Sequence, residues 1–178
     1  MHNKFVIFGE YRLRMKREET VDYNIKGLWL SISKMYNQFG AKYDITASTG
    51  FVLLNIDVEK GTPATKIAPL LGMESRSLTR MLKAMEEKGW VYREKDPTDG
   101  RSVRIFLSEL GKEKRELSRR AVREFNSKVR TLVPDEKLGD FFNVVKTIND
   151  IVDEPSLFDK IAKEISQEFA ADGLVHNQ

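Results

Sequence analysis

The chain contains no cysteine. Disulfide bonds, thiolate metal sites and sensing of oxidants through a thiol are therefore excluded. A chain without disulfides is compatible with a reducing compartment, so we expect it to act in the cytoplasm.

Histidine is almost as scarce, because the two histidines, His2 and His176, stand at the extreme ends of the chain. A histidine general base or a histidine-rich zinc site thus has no candidate within the body of the sequence. No glycine-rich phosphate loop is present either. We therefore expect neither an enzyme nor a cofactor or metal site, with chemistry by buried carboxylates alone as the alternative.

Long apolar runs are also missing. The apolar run near the N-terminus has four residues, 5–8, whereas a membrane helix needs about 18. We expect no signal peptide and no membrane partner. Hydrophobic residues make up 40% and charged residues 32% of the 178, a composition typical of a globular domain.

Positive charge is concentrated in one part of the sequence. Residues 111–130 contain eight Lys or Arg against three Asp or Glu, a net +5, whereas residues 131–178 contain four against ten, a net −6. The overall charge of +3 therefore conceals a basic segment. A local basic surface favours a polyanionic partner.

Apolar periodicity and the positions of Gly and Pro predict a mainly α-helical fold with a small β-hairpin. Helices are predicted over residues 21–43, 45–57 and 75–88, with a short helix capped by Thr62 between the last two. Strands are predicted over 90–94 and 102–107. Further helices are predicted from Ser108 to about residue 131, after Pro134, and after Pro155.

Two short helices followed by a basic hairpin are typical of a winged helix-turn-helix. The second helix, residues 75–88, would enter the major groove of DNA, where Arg can make two hydrogen bonds to guanine. Its predicted DNA-binding residues form one row, and a solvated helix face is the alternative interpretation. They are Ser75, Arg76, Thr79, Arg80 and Lys83.

The predicted hairpin, or wing, supplies a second group of candidate DNA-binding residues. A basic arm can lie over the minor groove, where narrow A·T tracts concentrate negative potential. Asp99 could pair with Arg101 or another base and thereby orient the wing. The group comprises Arg93, Lys95, Asp99, Arg101 and Arg104.

Residues 61–111 resemble the MarR (multiple antibiotic resistance regulator) family. The resemblance rests on Leu71-Gly72, on Ser77-Leu78-Thr79-Arg80, on the run from Glu86 to Arg93 and on Asp96-Pro97-Thr98-Asp99-Gly100-Arg101. It implies one MarR-like domain over residues 1–178. Residues 45–108 would form the winged helix-turn-helix lobe, and residues 1–44 and 109–178 would supply dimerisation helices.

The resemblance also implies a homodimer that binds a palindromic operator in double-stranded DNA. Such a regulator represses nearby genes and releases DNA when a small molecule binds between the dimerisation helices and the lobe. The long apolar stripes at both ends favour dimerisation independently. A winged-helix architectural protein, or a winged helix that binds only proteins, remains the alternative.

Four aromatic residues are candidates for an effector pocket: Trp29, Tyr36, Phe51 and Phe125. The alternative is that these side chains simply pack in the core. Arg119, Arg120 or Arg123 could bind an anionic ligand, or could face solvent or DNA phosphate. The expected effector is thus a small anionic or aromatic molecule.

Overall fold

A computed structural model describes residues 16–97 and 102–171. These residues fall into two compact units, one ending at Glu124 and the other beginning at Phe125. The first holds α1 (Val21–Gly40), α2 (Ala47–Leu54), β1 (Thr62–Pro63), α3 (Ala64–Leu70), α4 (Ser75–Glu87), β2 (Val91–Lys95) and β3 (Val103–Leu107). Helix α5 (Glu109–Leu132) contains the boundary, and α6 (Asp135–Val152) and α7 (Leu157–Ala171) belong to the second.

The predicted mainly α-helical fold with a small β-sheet is confirmed. Helix α2 is shorter than the predicted segment 45–57, because a capping box fixes its start. The Thr46 hydroxyl accepts a hydrogen bond from the Thr49 amide at 3.1 Å, and the Thr49 hydroxyl accepts one from the Thr46 amide at 2.8 Å. Such reciprocal bonds satisfy backbone donors that a helix start leaves free.

The sheet has three antiparallel strands in the order β1-β3-β2, and β1 was not predicted. Thr62 and Pro63 pair with Ile105 and Arg104 of β3. The prediction that Thr62 caps the following helix was wrong, since Pro63 occupies the cap position. The Thr62 hydroxyl instead accepts from the Asp57 amide and donates to the Asn55 carbonyl.

Glycine closes the turn between α3 and α4. Gly72 has a φ of +58°, a conformation that side chains with a Cβ rarely adopt. The Gly72 and Met73 amides donate to the carbonyl oxygens of Pro69 and Ala68, at 3.1 and 3.0 Å. These bonds satisfy carbonyl groups at the end of α3, so that α4 can start in a new direction.

The core of the first unit unites α2, α3, α4 and the sheet. Its most deeply buried side chains are Val52, Leu53, Ile56, Ile67, Leu82, Met85 and Ile105. Helix α5 begins against this core, where the Ser108 hydroxyl accepts a hydrogen bond from the Gly111 amide at 3.0 Å. A Cβ on Gly111 would lie 1.9 Å from the Trp90 carbonyl oxygen, so only glycine permits this approach.

Arg104 and Asp96 join the wing to the turn before β1. The Arg104 Nε donates to an Asp96 carboxylate oxygen at 2.7 Å, and its Nη1 donates to the Lys60 and Gly61 carbonyl oxygens at 3.0 and 3.3 Å. The Asp96 side chain is only 5% exposed. The pair therefore ties two loops that are distant in sequence.

The second unit is made of the end of α5, α6 and α7. Pro134 occupies the cap position of α6, as expected for a residue that lacks an amide hydrogen. Arg130 Nη1 contacts an Asp135 carboxylate oxygen at 3.1 Å across the turn. Leu138 is buried, whereas many other apolar side chains of α6 and α7 are exposed.

None of the helices in residues 16–97 and 102–171 combines the length and apolar character that a membrane span requires.

Replacing Leu53 with Ala should lower the free energy of unfolding by about 2–5 kcal/mol, because a fully buried leucine leaves a cavity. Leu53 is 0% exposed, whereas Leu70 is 65% exposed. Leu70→Ala is therefore the matched control and should cost less than about 1 kcal/mol. Urea denaturation of both variants measures the difference, and equal losses would contradict the assigned core.

Asp96→Asn should lower the free energy of unfolding by about 1–3 kcal/mol, because it removes the charged acceptor from a mostly buried guanidinium. The control is Asp135→Asn, whose carboxylate is 84% exposed beside Arg130. Solvent screens that pair, so the control should unfold almost as the parent does. The same denaturation assay applies, and an unaffected Asp96→Asn variant would show that the pair does not anchor the wing.

Candidate nucleic-acid interface

Helix α4 has one buried face and one exposed face. Leu78, Leu82 and Met85 are buried in the core, at 1–3% exposure. The opposite face carries the five residues predicted from the sequence, and all five are exposed: Ser75, Arg76, Thr79, Arg80 and Lys83. The packing of the apolar face thus determines which side chains are presented to a partner.

The two arginines of this face are available to a partner. The side chains of Arg76 and Arg80 make no hydrogen bond or ion pair to any described residue. Lys83 lies 3.9 Å from Glu87, and the Thr79 hydroxyl donates to the Ser75 carbonyl oxygen at 2.8 Å. A guanidinium without an internal partner can bind a phosphate or a guanine edge at little cost.

The wing residues fall into three groups. Lys95, at the end of β2, is exposed, and its side chain makes no hydrogen bond or ion pair to the rest of the described chain. The Arg93 Nε donates to a Glu86 carboxylate oxygen at 3.0 Å, which partly neutralises its charge. Asp99 and Arg101 lie outside the described residues.

The guanidinium of Arg104 is largely engaged inside the protein. Its contacts with Asp96, Lys60 and Gly61 use both Nε and Nη1, and its side chain is 24% exposed. These contacts give Arg104 a role in the support of the wing, and its contact with DNA stays a prediction. Sequence analysis missed Asp96 as its partner, although the Asp-Pro turn signal marked this position.

A second candidate site is an apolar cleft of about 340 Å³, including its open mouth, within the first unit. Tyr36 and Phe51, two of the predicted effector residues, line it. Trp29 packs against Phe51 with ring centroids 5.6 Å apart but does not line the cleft. Phe125 belongs to the second unit and is not among the lining residues, so its role in an effector pocket stays a prediction.

The arginines considered for an anionic ligand lie elsewhere on α5. Arg119 and Arg120 both pair with Glu116, at 3.0 and 3.3 Å. Arg123 is exposed. None of the three lines the cleft. Within the described parts of the chain, no cluster of His, Cys, Asp or Glu could hold a metal ion.

Residues 45–103, which include α2, α4 and most of the wing, match the MarR family. The transcriptional regulator SarZ of Staphylococcus saprophyticus is 31% identical over 117 residues, which cover 63% of this chain and 80% of SarZ. SarZ of Staphylococcus aureus is 32% identical over 96 residues, 53% of this chain and 65% of that protein.

Solved structures show the same fold. The repressor CouR bound to a 23-mer DNA duplex superposes with a TM-score of 0.65 at 24% identity, covering 76% of this chain and 99% of CouR. CouR of Rhodococcus jostii bound to p-coumaroyl-CoA gives a TM-score of 0.67 at 18% identity, over 76% and 95% of the two chains. The chain belongs to the MarR family and is a winged-helix DNA-binding transcription regulator.

Proposed function

We propose that this regulator is a cytoplasmic homodimeric repressor that binds a palindromic operator and releases it when a small molecule binds. The observation that carries the proposal is the exposed face of α4, where Arg76 and Arg80 have no partner among the described residues. In this role α4 lies in the major groove, and Ser75 and Thr79 contact phosphates or bases beside the arginines.

The wing contributes a second, less selective contact. Lys95 is exposed at the end of β2, and Arg101 follows in the sequence after the turn. Charged side chains at this position would neutralise backbone phosphates or enter the minor groove. Asp96 and Arg104 support this contact by holding the base of the wing against the turn before β1.

Dimerisation is supported by apolar surface that a single chain leaves exposed. On α1, Ile25, Leu28 and Trp29 are 48–51% exposed. On α6 and α7 the exposed apolar residues are Phe141, Phe142, Val144, Ile151, Val152, Phe158, Ile161, Ile165 and Phe169. A second copy would remove this surface from water, and a two-fold dimer would present two α4 helices to a palindrome.

Release by an effector is supported by the position of the cleft. Its walls come from α1, α2 and α5, and α2 also supplies Val52 and Leu53 to the core that orients α4. A ligand in the cleft that favours one arrangement of these helices would change the affinity of the protein for DNA. DNA binding would then change the affinity of the protein for the ligand by the same factor. CouR, which has a related fold, binds p-coumaroyl-CoA.

Arg80→Ala should weaken operator binding by about 1–3 kcal/mol and relax the base preference at one position in each half-site. The operator is first identified by genomic footprinting, and affinity is then measured by fluorescence anisotropy on the operator and on a scrambled duplex. Arg130→Ala, which removes an exposed arginine of the second unit, is the matched control.

The control should retain the parent affinity for both duplexes. If Arg80→Ala weakened binding to scrambled DNA as much as binding to the operator, Arg80 would be a phosphate contact instead of a base contact. If the parent protein bound the two duplexes equally, it would be an architectural protein. If it bound neither, the protein-binding alternative would apply.

Light scattering coupled to size exclusion should report twice the chain mass of 20.5 kDa at micromolar concentration. Because the exposed apolar residues of α6 and α7 form the proposed interface, Phe142→Asp combined with Ile161→Asp should shift the protein toward the monomer. Circular dichroism checks that the variant keeps its helices. A monomeric parent protein would exclude the dimer.

A further inference from the structure

The cleft within the first unit is unusual for this chain because the described residues that line it carry no charge. Charged residues make up 32% of the sequence. Among the described residues that line the cleft, Tyr36 alone has an ionisable side chain. Burial raises the pKa of the Tyr36 hydroxyl above its ordinary value, so this group stays neutral at physiological pH.

The hydroxyl groups of the lining are occupied by local structure. The Thr46 hydroxyl accepts from the Thr49 amide as part of the capping box of α2. The Ser118 hydroxyl donates to the Lys114 carbonyl oxygen at 2.9 Å within α5. A carboxylate placed against either side chain would compete with these bonds.

Two of the three nearby cations on α5, Lys114 and Arg119, already have partners. Lys114 donates to the Tyr43 carbonyl oxygen at 2.7 Å and lies over the Trp90 ring. Arg119 pairs with Glu116, whereas the buried Nε of Arg115 has no hydrogen-bond partner among the described residues. None of these cations lines the cleft. A buried anion without a cationic partner loses hydration that nothing replaces.

The apolar walls favour a flat or branched apolar molecule. Phe51 meets Tyr36 edge to face, with ring centroids 6.1 Å apart. Phe39 provides another aromatic wall and is 40% exposed. Leu54, Ala121 and Val122 contribute aliphatic surface. The enclosed part of the cleft is only about 30 Å³, and the 340 Å³ includes its open mouth, so a small ligand would lie largely in the mouth against these walls.

We infer that the effector bound in this cleft is an uncharged, mainly apolar small molecule, such as a neutral aromatic compound, and not a carboxylate. The inference rests on the proposed effector role of the cleft and specifies the chemical class of its ligand. The sequence predicts an anionic or aromatic effector, and the lining of the cleft favours an aromatic effector without a negative charge. The determinant is the lack of a cation among the described residues that line the cleft.

The test compares 2-naphthol with 2-naphthoate by isothermal titration calorimetry on the full chain at neutral pH. The two probes share one ring system but differ in charge. The naphthol should bind at least about tenfold more tightly, because the carboxylate would lose hydration without gaining a partner. Equal or tighter binding of the naphthoate, or no binding of the naphthol up to about 1 mM, would overturn the inference.

Two substitutions in the lining give independent readouts. Val122→Lys places an ammonium in the wall and should reduce or reverse the preference for the naphthol. Val122→Met adds similar length without charge and should keep the parent preference. If Val122→Lys and Val122→Met kept the same preference, charge in the lining would not determine selectivity and the inference would be wrong.

Ala121→Phe locates the binding site. The added ring would occupy the cleft and should weaken naphthol binding by at least about tenfold. Circular dichroism confirms that the variant is folded. Unchanged affinity would mean that the probe binds elsewhere, and the inference would fail.

Operator affinity is measured in a separate anisotropy titration with saturating naphthol. If the naphthol binds with the expected preference and weakens operator binding, both the ligand class and the effector role are supported. If it binds with that preference but leaves operator affinity unchanged, the ligand class is supported and release by an effector is contradicted. The failures of the two proposals are therefore distinguishable.

Discussion

The burial of Leu78, Leu82 and Met85 orients helix α4, and the DNA-binding face depends on that orientation. These apolar side chains, at helical spacing, pack into the core built by α2, α3 and the sheet. Arg76 and Arg80 then necessarily face away from the core. The hydrophobic effect thus positions a polar recognition surface without any direct contact to its charged groups.

Arginines of the lobe serve different purposes although they carry the same charge. Arg104 is enclosed by a carboxylate and two carbonyl oxygens, so its donors are used inside the protein. Arg93 shares its charge with Glu86. Arg76 and Arg80 make no such contacts among the described residues. Internal partners therefore separate the arginines that build the wing from those that are available to DNA.

The cleft and the exposed face of α4 also differ in charge. The presented face of α4 carries three cations, whereas the cleft walls are aromatic and aliphatic with hydroxyl groups already bonded. Helix α2 joins the two regions, since Phe51 and Leu54 line the cleft while Val52 and Leu53 enter the core. A neutral ligand could thus influence a charged surface through packing alone.

Elements with strong local signals were predicted well from the sequence. The helix that carries the donor row of α4 and the start of α5 at Ser108 are specified by residues close to one another along the chain. Strand β1 was missed because two residues carry no periodicity, and Thr62 pairs with Ile105, which is distant in sequence. The structural role of Arg104 was missed because its partners on the turn before β1 are equally distant.

The sequence by itself determined the helices, the basic segment before the acidic end, and the row of donors on α4, since each follows from the order of neighbouring residues. Only the tertiary structure decided which cations are free and which are enclosed, and which aromatic side chains surround empty space. Those properties depend on groups that are distant in sequence and meet only in the folded chain. Local sequence patterns do not predict such contacts.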